Sequence, residues 1–281
     1  MQLLNGKALS DTIKSELKVE SDQLAKEGIY PALAVILVGD DPASHTYVNS
    51  KEKSCTASGI KSIVHRLRAT TSQDELLALI DTINNDASID GILVQLPVPK
   101  HIDTSKIIEA IKPSKDVDGF HPYNVGRLMA GLDGFVPCTP YGVMKLLEAY
   151  HINPRGMDAC VIGASNIVGK PMMNLLLNAS ATVEICRSST RNLKEHTLRA
   201  DIIVVGVGKI NLLTADMVKE GAIVIDVGIN RTSEGKIVGD VDFENVAPKC
   251  SFITPVPGGV GPMTIAMLLT NTVKSAKQRT R

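Results

Sequence analysis

The chain has 281 residues, 44% of them apolar, and its 30 Lys plus Arg balance 30 Asp plus Glu. That length predicts two domains with a sizeable buried core, and a neutral chain without a long like-charge block excludes a nucleic-acid footprint or a membrane-surface helix. No run approaches the roughly 18 apolar residues of a membrane span, and the five cysteines are dispersed with no Cys-x-x-Cys pair, so the expected protein is cytoplasmic, lacks disulfides and zinc, and acts on a small molecule.

The N-terminus has an amphipathic rather than a secretory pattern, with Leu9, Ile13, Leu17 and Leu24 on one helical face. Ala32 to Val38, Ser62 to Leu67 and Gly91 to Leu96 are apolar, strand-like runs, separated by helical stretches over 43–57 and 73–84. This βαβ rhythm predicts a mainly parallel sheet. Within the helix over 43–57, Ser44, Tyr47 and Lys51 are spaced by three and four residues and share a face. The stripe is either a platform for a planar ligand or a surface lysine lying over a half-buried ring. Gln95 is the polar residue ending an otherwise apolar run. Strand ends in open α/β sheets face ligand crevices, so its amide either orients an amine or substrate or is simply solvated. Asp116 and Asp118 alternate beside a glycine and read either as a turn cap or as acceptors for ligand N–H groups. No His or acidic cluster completes a metal site there.

A passage rich in Gly and Pro from Pro113 to Pro140 breaks the rhythm and carries the domain boundary, with a helix beginning near Thr139. Runs at 159–163, 182–186, 201–205 and 222–227 then predict a second parallel sheet. Between the first two lies VIGASNIVGKP, Val161 to Pro171. Gly163 permits a tight turn, and a helix over Asn166 to Leu177 would present N-terminal amides to a pyrophosphate. Ser165 stands where the usual G-x-G-x-x-G has glycine, so the segment is either a dinucleotide turn or an ordinary strand-to-helix connection. About 20 residues on, where an NAD site places an acid, the chain reads Cys186, Arg187, Ser188, Ser189, Thr190, Arg191. Guanidinium and hydroxyl groups suit a 2′-phosphate, which favours NADP over a plain basic loop. Near the C-terminus, Gly258 and Gly259 in TPVPGGVGPMT let backbone pass close to a ligand or simply make a tight connection. The helix that follows, Met263 to Val273, reads as core. The histidines have no ligand-like spacing and none is assigned a catalytic role.

In order and spacing, YVNSK, GILVQLPVP, KDVDGF, VPCTP, GASNIVGKP, IVIDVGIN and TPVPGGVGPMT closely resemble the bifunctional methylenetetrahydrofolate dehydrogenase/cyclohydrolase family over nearly the whole chain. The resemblance implies two α/β domains with a cleft between them, the C-terminal one a Rossmann-type parallel sheet. Residues 1–139 would be the folate-binding catalytic domain and 140–281 the NADP-binding domain, with the helix near 263–281 packing back on the first. It also implies one-carbon chemistry on tetrahydrofolate derivatives. NADP-dependent oxidation of 5,10-methylenetetrahydrofolate to the methenyl form would be followed by hydrolysis to 10-formyltetrahydrofolate.

By the same resemblance Lys51 is the catalytic amine, its pKa lowered by burial and neighbouring donors. Gln95 holds that amine, Tyr47 lies over the folate ring with Ser44 nearby, and Asp118 accepts from the pterin N–H groups. Pro257, Gly258 and Gly259 line the aminobenzoyl portion. Gly163, Ala164 and Ser165 approach the dinucleotide, Ser188 its 2′-phosphate and Ile229 its nicotinamide side. Two positions depart from the family pattern. Ala164 stands where many relatives have Arg, and Arg187 stands where a His is common, so Arg187 is expected to supply the missing cation. A monofunctional enzyme of the same fold is disfavoured because Lys51 and the dinucleotide turn occur together. A non-catalytic dinucleotide-binding module would leave Tyr47, Lys51 and Gln95 without purpose. The family likeness further implies a homodimer through the nucleotide-binding domain, with neither nucleic acid nor membrane as partner.

Overall fold

The computed structural model describes residues 1–279. In chain order its principal elements are β1 (Gln2–Leu3), α1 (Gly6–Lys26), β2 (Ala32–Val38), α2 (Pro42–Ala57), β3 (Lys61–Leu67), α3 (Gln73–Asn85), β4 (Gly91–Val94), α4 (Thr104–Ala110), α5 (Pro122–Met129), α6 (Cys138–Ala149), β5 (Asp158–Ile162), α7 (Gly169–Asn178), β6 (Thr182–Cys186), α8 (Leu193–Arg199), β7 (Ile202–Val205), β8 (Ala222–Asp226), β9 (Asn230–Arg231), β10 (Ile237–Val238), α9 (Phe243–Val246), β11 (Cys250–Ile253) and α10 (Val260–Gln278). They form two units, one from Met1–Ser10 and Pro137–Thr264, the other from Asp11–Val136 and the chain from Ile265 on.

In the second of these, every residue of β2 is buried. A strand covered on both faces needs such an unbroken apolar run, and this is the pattern of parallel sheets. β2 lies between β3 and β4 and pairs with both in parallel. The intervening helices start where the sequence offers caps. Asp41 accepts from Ser44 N at 2.8 Å ahead of Pro42, and Ser72 with Glu75 makes a reciprocal capping box. Ile36, Leu76, Ile80, Ile92 and Ile107 fill the core between sheet and helices. β4 stops at Val94, two residues before the end of the apolar run. Gln95 N still donates to Ile36 O at 2.8 Å, but Pro97 has no N–H with which to continue. The part of α10 in this unit is fixed by buried polar ties: Asn271 Nδ2 donates to Val117 O at 2.8 Å, and Ser275 Oγ to Asp90 O at 2.7 Å.

The other unit is built on a six-stranded parallel sheet of order β1-β11-β8-β7-β5-β6. The chain passes from β5 out to β6 and returns to β7 on β5's other side, so the topological switch point lies at the C-terminal ends of β5 and β7. Both β7 and β8 are wholly buried. All five cysteines are free and buried.

Three features differ from the sequence expectation. Residues Met1–Ser10 belong to the sheet unit rather than to a domain over 1–139, because β1 pairs with β11 through Gln2↔Phe252 and Leu3↔Ile253. The strand β11 and the antiparallel ribbon β9–β10 add to the four runs expected. Helix α7 starts at Gly169 rather than at Asn166.

Candidate active site

The stripe on α2 does form a face. Ser44 is buried, Lys51 is half-buried and Tyr47 keeps 40% of its surface exposed. Lys51 Nζ donates to Gln95 Oε1 at 2.9 Å, and Gln95 Nε2 donates to Leu96 O at 2.8 Å. The second bond fixes the amide, so that only its oxygen faces the amine. Gln95 is therefore not merely solvated at a strand end. One helical turn beyond Lys51, burial pushes the Cys55 thiol up to about 12, which keeps it from ionising near neutral pH.

The two carboxylates after β4 have separate tasks. Asp116 is 1% exposed and accepts from Phe120 N at 3.2 Å, His121 N at 2.9 Å and Asn124 Nδ2 at 2.8 Å. It is the turn cap, and burial pushes its carboxyl up to about 6. Asp118 is half-buried and, with Val94, Leu96, Ile107, Phe120 and the buried Asp116, lines a hollow beside the end of β4. Leu96 adjoins Gln95, so the lysine–amide pair and this hollow share one strand end.

In the sheet unit, Gly163 has φ +117° and its N–H donates to Cys186 O at 2.8 Å. A Cβ there would stand 2.6 Å from Gly206 O, and one on Gly169 would overlap the Gly163 carbonyl. The turn after β5 therefore closes on itself only with glycine at both positions. Gly169 was not among the predicted site residues. Its signal was a glycine one place beyond the usual spacing, next to the helix start. Ser165, in the place of the second glycine, ties the turn to the start of α7: its Oγ accepts from Val168 N at 3.2 Å and Gly169 N at 3.4 Å. Ala164 beside it is half-buried.

Arg187 and Ser188 are exposed and leave β6 directly after the residue that receives the Gly163 N–H. A turn holds them, with Arg187 N donating to Thr190 Oγ1 at 2.8 Å and Thr190 N to Arg187 O at 2.9 Å. Ile229 follows β8 with 48% of its surface exposed, and Val207 follows β7 with 42% exposed. Val207 was not anticipated, since a lone valine after a buried strand carries no sequence signal. The Pro257–Gly259 loop is held by Lys7 N, which donates to Gly258 O at 2.9 Å, and Gly258 has φ +105°. The same loop brings Gly261 beside Ile229, whose Cδ1 would lie 3.8 Å from a Cβ at that glycine. Ser44, Tyr47, Lys51, Gln95 and Asp118 thus belong to one unit, and the glycine turn, Arg187, Ser188, Ile229 and Pro257–Gly259 to the other. Among the described residues no group of His, Cys, Asp or Glu could hold a metal ion, and no helix is long and apolar enough to cross a membrane.

An amine held by a locked amide in one α/β unit, and a glycine turn at the switch point of a parallel sheet in the other, define a nucleotide-dependent α/β enzyme. The catalytic domain of tetrahydrofolate dehydrogenase/cyclohydrolase matches residues 4–118, and the NAD(P)-binding domain of the same enzymes matches residues 137–280. The bifunctional protein FolD of Campylobacter fetus is 66% identical over 281 residues, covering 100% of this chain and 99% of the relative. The crystal structure of the bifunctional FolD dehydrogenase/cyclohydrolase of Campylobacter jejuni superposes with a TM-score of 0.98 at 64% identity, covering 99% of each chain. That of the Trypanosoma brucei enzyme, complexed with NADP cofactor and inhibitor, does so with a TM-score of 0.95 at 36% identity, covering 99% of this chain and 97% of the other. The chain belongs to the tetrahydrofolate dehydrogenase/cyclohydrolase family, with the catalytic domain first and the NAD(P)-binding domain second.

Proposed function

We infer that the chain carries out both reactions of its family: oxidation of 5,10-methylenetetrahydrofolate to 5,10-methenyltetrahydrofolate with NADP, then hydrolysis to 10-formyltetrahydrofolate. The observation that carries the reading is the Lys51–Gln95 pair, with its amide locked by Leu96 O, in a chain that also has the glycine turn. When bound, the dinucleotide accepts a hydride from the methylene carbon, a step that needs no side-chain acid or base and depends on positioning the two rings.

The residues fit such a cofactor. Gly163 and Gly169 bring backbone to the place of the pyrophosphate, and Ala164, lacking a long side chain, leaves the cation to Arg187. Arg187 and Ser188 stand where a 2′-phosphate would lie, with Ile229 on the nicotinamide side. In the hydrolysis the water oxygen bonds the methenyl carbon and one carbon–nitrogen bond of the ring breaks. Lys51 takes a proton from the attacking water and returns it to the released nitrogen, the second water proton leaves to solvent as the formyl carbonyl forms, and Gln95 holds the lysine amine in place. Tyr47 covers the folate ring, with buried Ser44 beneath the same stripe. Asp118, half-buried beside the hollow at the end of β4, accepts from the pterin N–H groups. Pro257, Gly258 and Gly259 pass along the aminobenzoyl portion. Both reactions would share one folate site in a cytoplasmic homodimer.

The test is spectrophotometric turnover of methylenetetrahydrofolate with NADP or NAD, following methenyl formation and its decay, in the parent and Lys51→Ala. The parent should form methenyl product with NADP and accelerate its decay. The variant should lose that accelerated decay by about 100-fold or more, the usual worth of a general acid–base group. A variant that hydrolyses methenyltetrahydrofolate as the parent does would refute the role of Lys51.

A further inference from the structure

Two carboxylates deep in the sheet unit take no part in the reaction just described. Asp226 is the last residue of β8 and is 4% exposed, and Asp240, after β10, is fully buried. Neither faces a buried cation, and both instead collect backbone N–H groups. Asp240 Oδ2 accepts from Val207 N at 2.6 Å and Gly208 N at 3.0 Å, while its Oδ1 accepts from Lys209 N at 2.9 Å and Asn230 Nδ2 at 2.8 Å. Asp226 Oδ1 accepts from Gly228 N at 2.9 Å and Asp240 N at 3.0 Å, and its Oδ2 accepts from Val241 N at 3.0 Å. The two acids are joined in series, because the backbone of Asp240 is itself a donor to Asp226.

Together they gather three segments: 206–209 after β7, 227–230 after β8, and the stretch around 239–241. The packing leaves no slack, since a Cβ on Gly228 would overlap Asp240 and one on Gly239 would overlap Asp226. Carboxylates collecting several N–H groups in a dry site make strong, oriented bonds. The gathered segments are those that face the cofactor in the reading above. Segment 206–209 abuts the glycine turn through Gly206 O, which would lie 2.6 Å from a Cβ on Gly163, and it presents half-exposed Val207. Segment 227–230 presents Ile229.

We propose that Asp240, seated on Asp226, is a positioning residue for the dinucleotide: it fixes the Val207 and Ile229 loops against the glycine turn and so forms the apolar wall on which the nicotinamide half rests. The proposal rests on the functional reading above. Neither acid touches the reacting atoms. Asp240→Asn places an NH2 group against backbone donors and opens the loops. Asp226→Asn is the milder change, because one oxygen, Oδ1, already takes both Gly228 N and Asp240 N, and only the bond from Val241 N is lost.

The test uses the full chain and separates the cofactor from the chemistry. NADP binding is measured by isothermal titration calorimetry, dehydrogenase rates at varied NADP, and hydrolysis of methenyltetrahydrofolate without dinucleotide. Asp240→Asn should weaken NADP binding and raise its KM by about tenfold or more, as small misplacements of bound groups do, with hydrolysis within about twofold of the parent. Asp226→Asn should shift binding about threefold or less. Should Asp240→Asn fail to fold, Asn230→Ala removes one donor to Asp240 and keeps both carboxylates, and a loss of about threefold in NADP affinity with hydrolysis retained is expected. Unchanged NADP affinity in Asp240→Asn, or in Asn230→Ala where the first does not fold, overturns the proposal. So does a proportional loss of binding and hydrolysis, which marks a purely structural role. A parent chain that hydrolyses methenyltetrahydrofolate but binds no NADP overturns both this proposal and the cofactor reading beneath it.

Discussion

Replacing Asp116 and Asp118 separately by alanine tests the division of labour between two acids that flank Val117. Asp116→Ala leaves Phe120 N, His121 N and Asn124 Nδ2 without their acceptor. Water reaches the half-buried backbone at 120 and 121, but Asn124 is 2% exposed and keeps only Pro113 O at 3.0 Å. At about 1–3 kcal/mol for a buried donor left unpaired, the one dry donor sets the loss at about 3 kcal/mol at pH 4.5.

The sign of its pH dependence follows from the carboxyl. Burial raises its pKa from 3.8 to about 6 in the folded chain, so between those values the folded state binds more protons than the unfolded one. The stability contributed by Asp116 is fully present below pH 3.8 and is lost as pH rises through about 6. The cost of Asp116→Ala should therefore shrink by about 2 kcal/mol, to about 1 kcal/mol, by pH 8. Asp118→Ala should change stability by no more than about 1 kcal/mol and instead raise the folate KM by about tenfold. Urea unfolding of both variants at pH 4.5 and 8, beside folate-dependent initial rates, reads all of this. A cost of Asp116→Ala that grows with pH, or a larger stability loss in Asp118→Ala, would refute the assignment.

Other changes address the cofactor half. Gly169→Ala forces the turn open, because its Cβ would overlap Gly163 O and stand 2.6 Å from Gly163 C. Overpacking of about 1–3 kcal/mol should appear as a raised KM for NADP with methenyl hydrolysis retained, and an unchanged KM would mean the turn does not meet the cofactor. Arg187→Ala should lower the ratio of kcat/KM for NADP to that for NAD by about 10-fold to 100-fold, the worth of a charge-assisted phosphate contact at about 1.5–3 kcal/mol. Equal ratios in variant and parent would show that the guanidinium does not read the 2′-phosphate.

The sequence by itself determined the elements whose signal lies within a few neighbouring residues. The buried strands at Ala32–Val38 and Ala222–Asp226, the helical stretches over 43–57 and 73–84, the glycine turn at Gly163 and the face shared by Ser44, Tyr47 and Lys51 all follow from apolar runs, turn residues and helical spacing. Tertiary structure decided everything that depends on which distant groups meet. Gln2 and Leu3 have no strand signal and become β1 only by pairing with Phe252 and Ile253. Helix α7 starts only at Gly169, after a turn whose Ser165 Oγ accepts from Val168 N and Gly169 N. Asp116 and Asp118 are alike in a string of letters, and only the fold, by burying one against three donors and leaving the other half-buried, gives them different surroundings. The same holds for Asp226 and Asp240, whose partners lie on separate loops. Local pattern encodes conformation because its energetics are short-ranged, whereas the role of a polar side chain is set by burial and by long-range hydrogen bonding, and those exist only once the chain has packed.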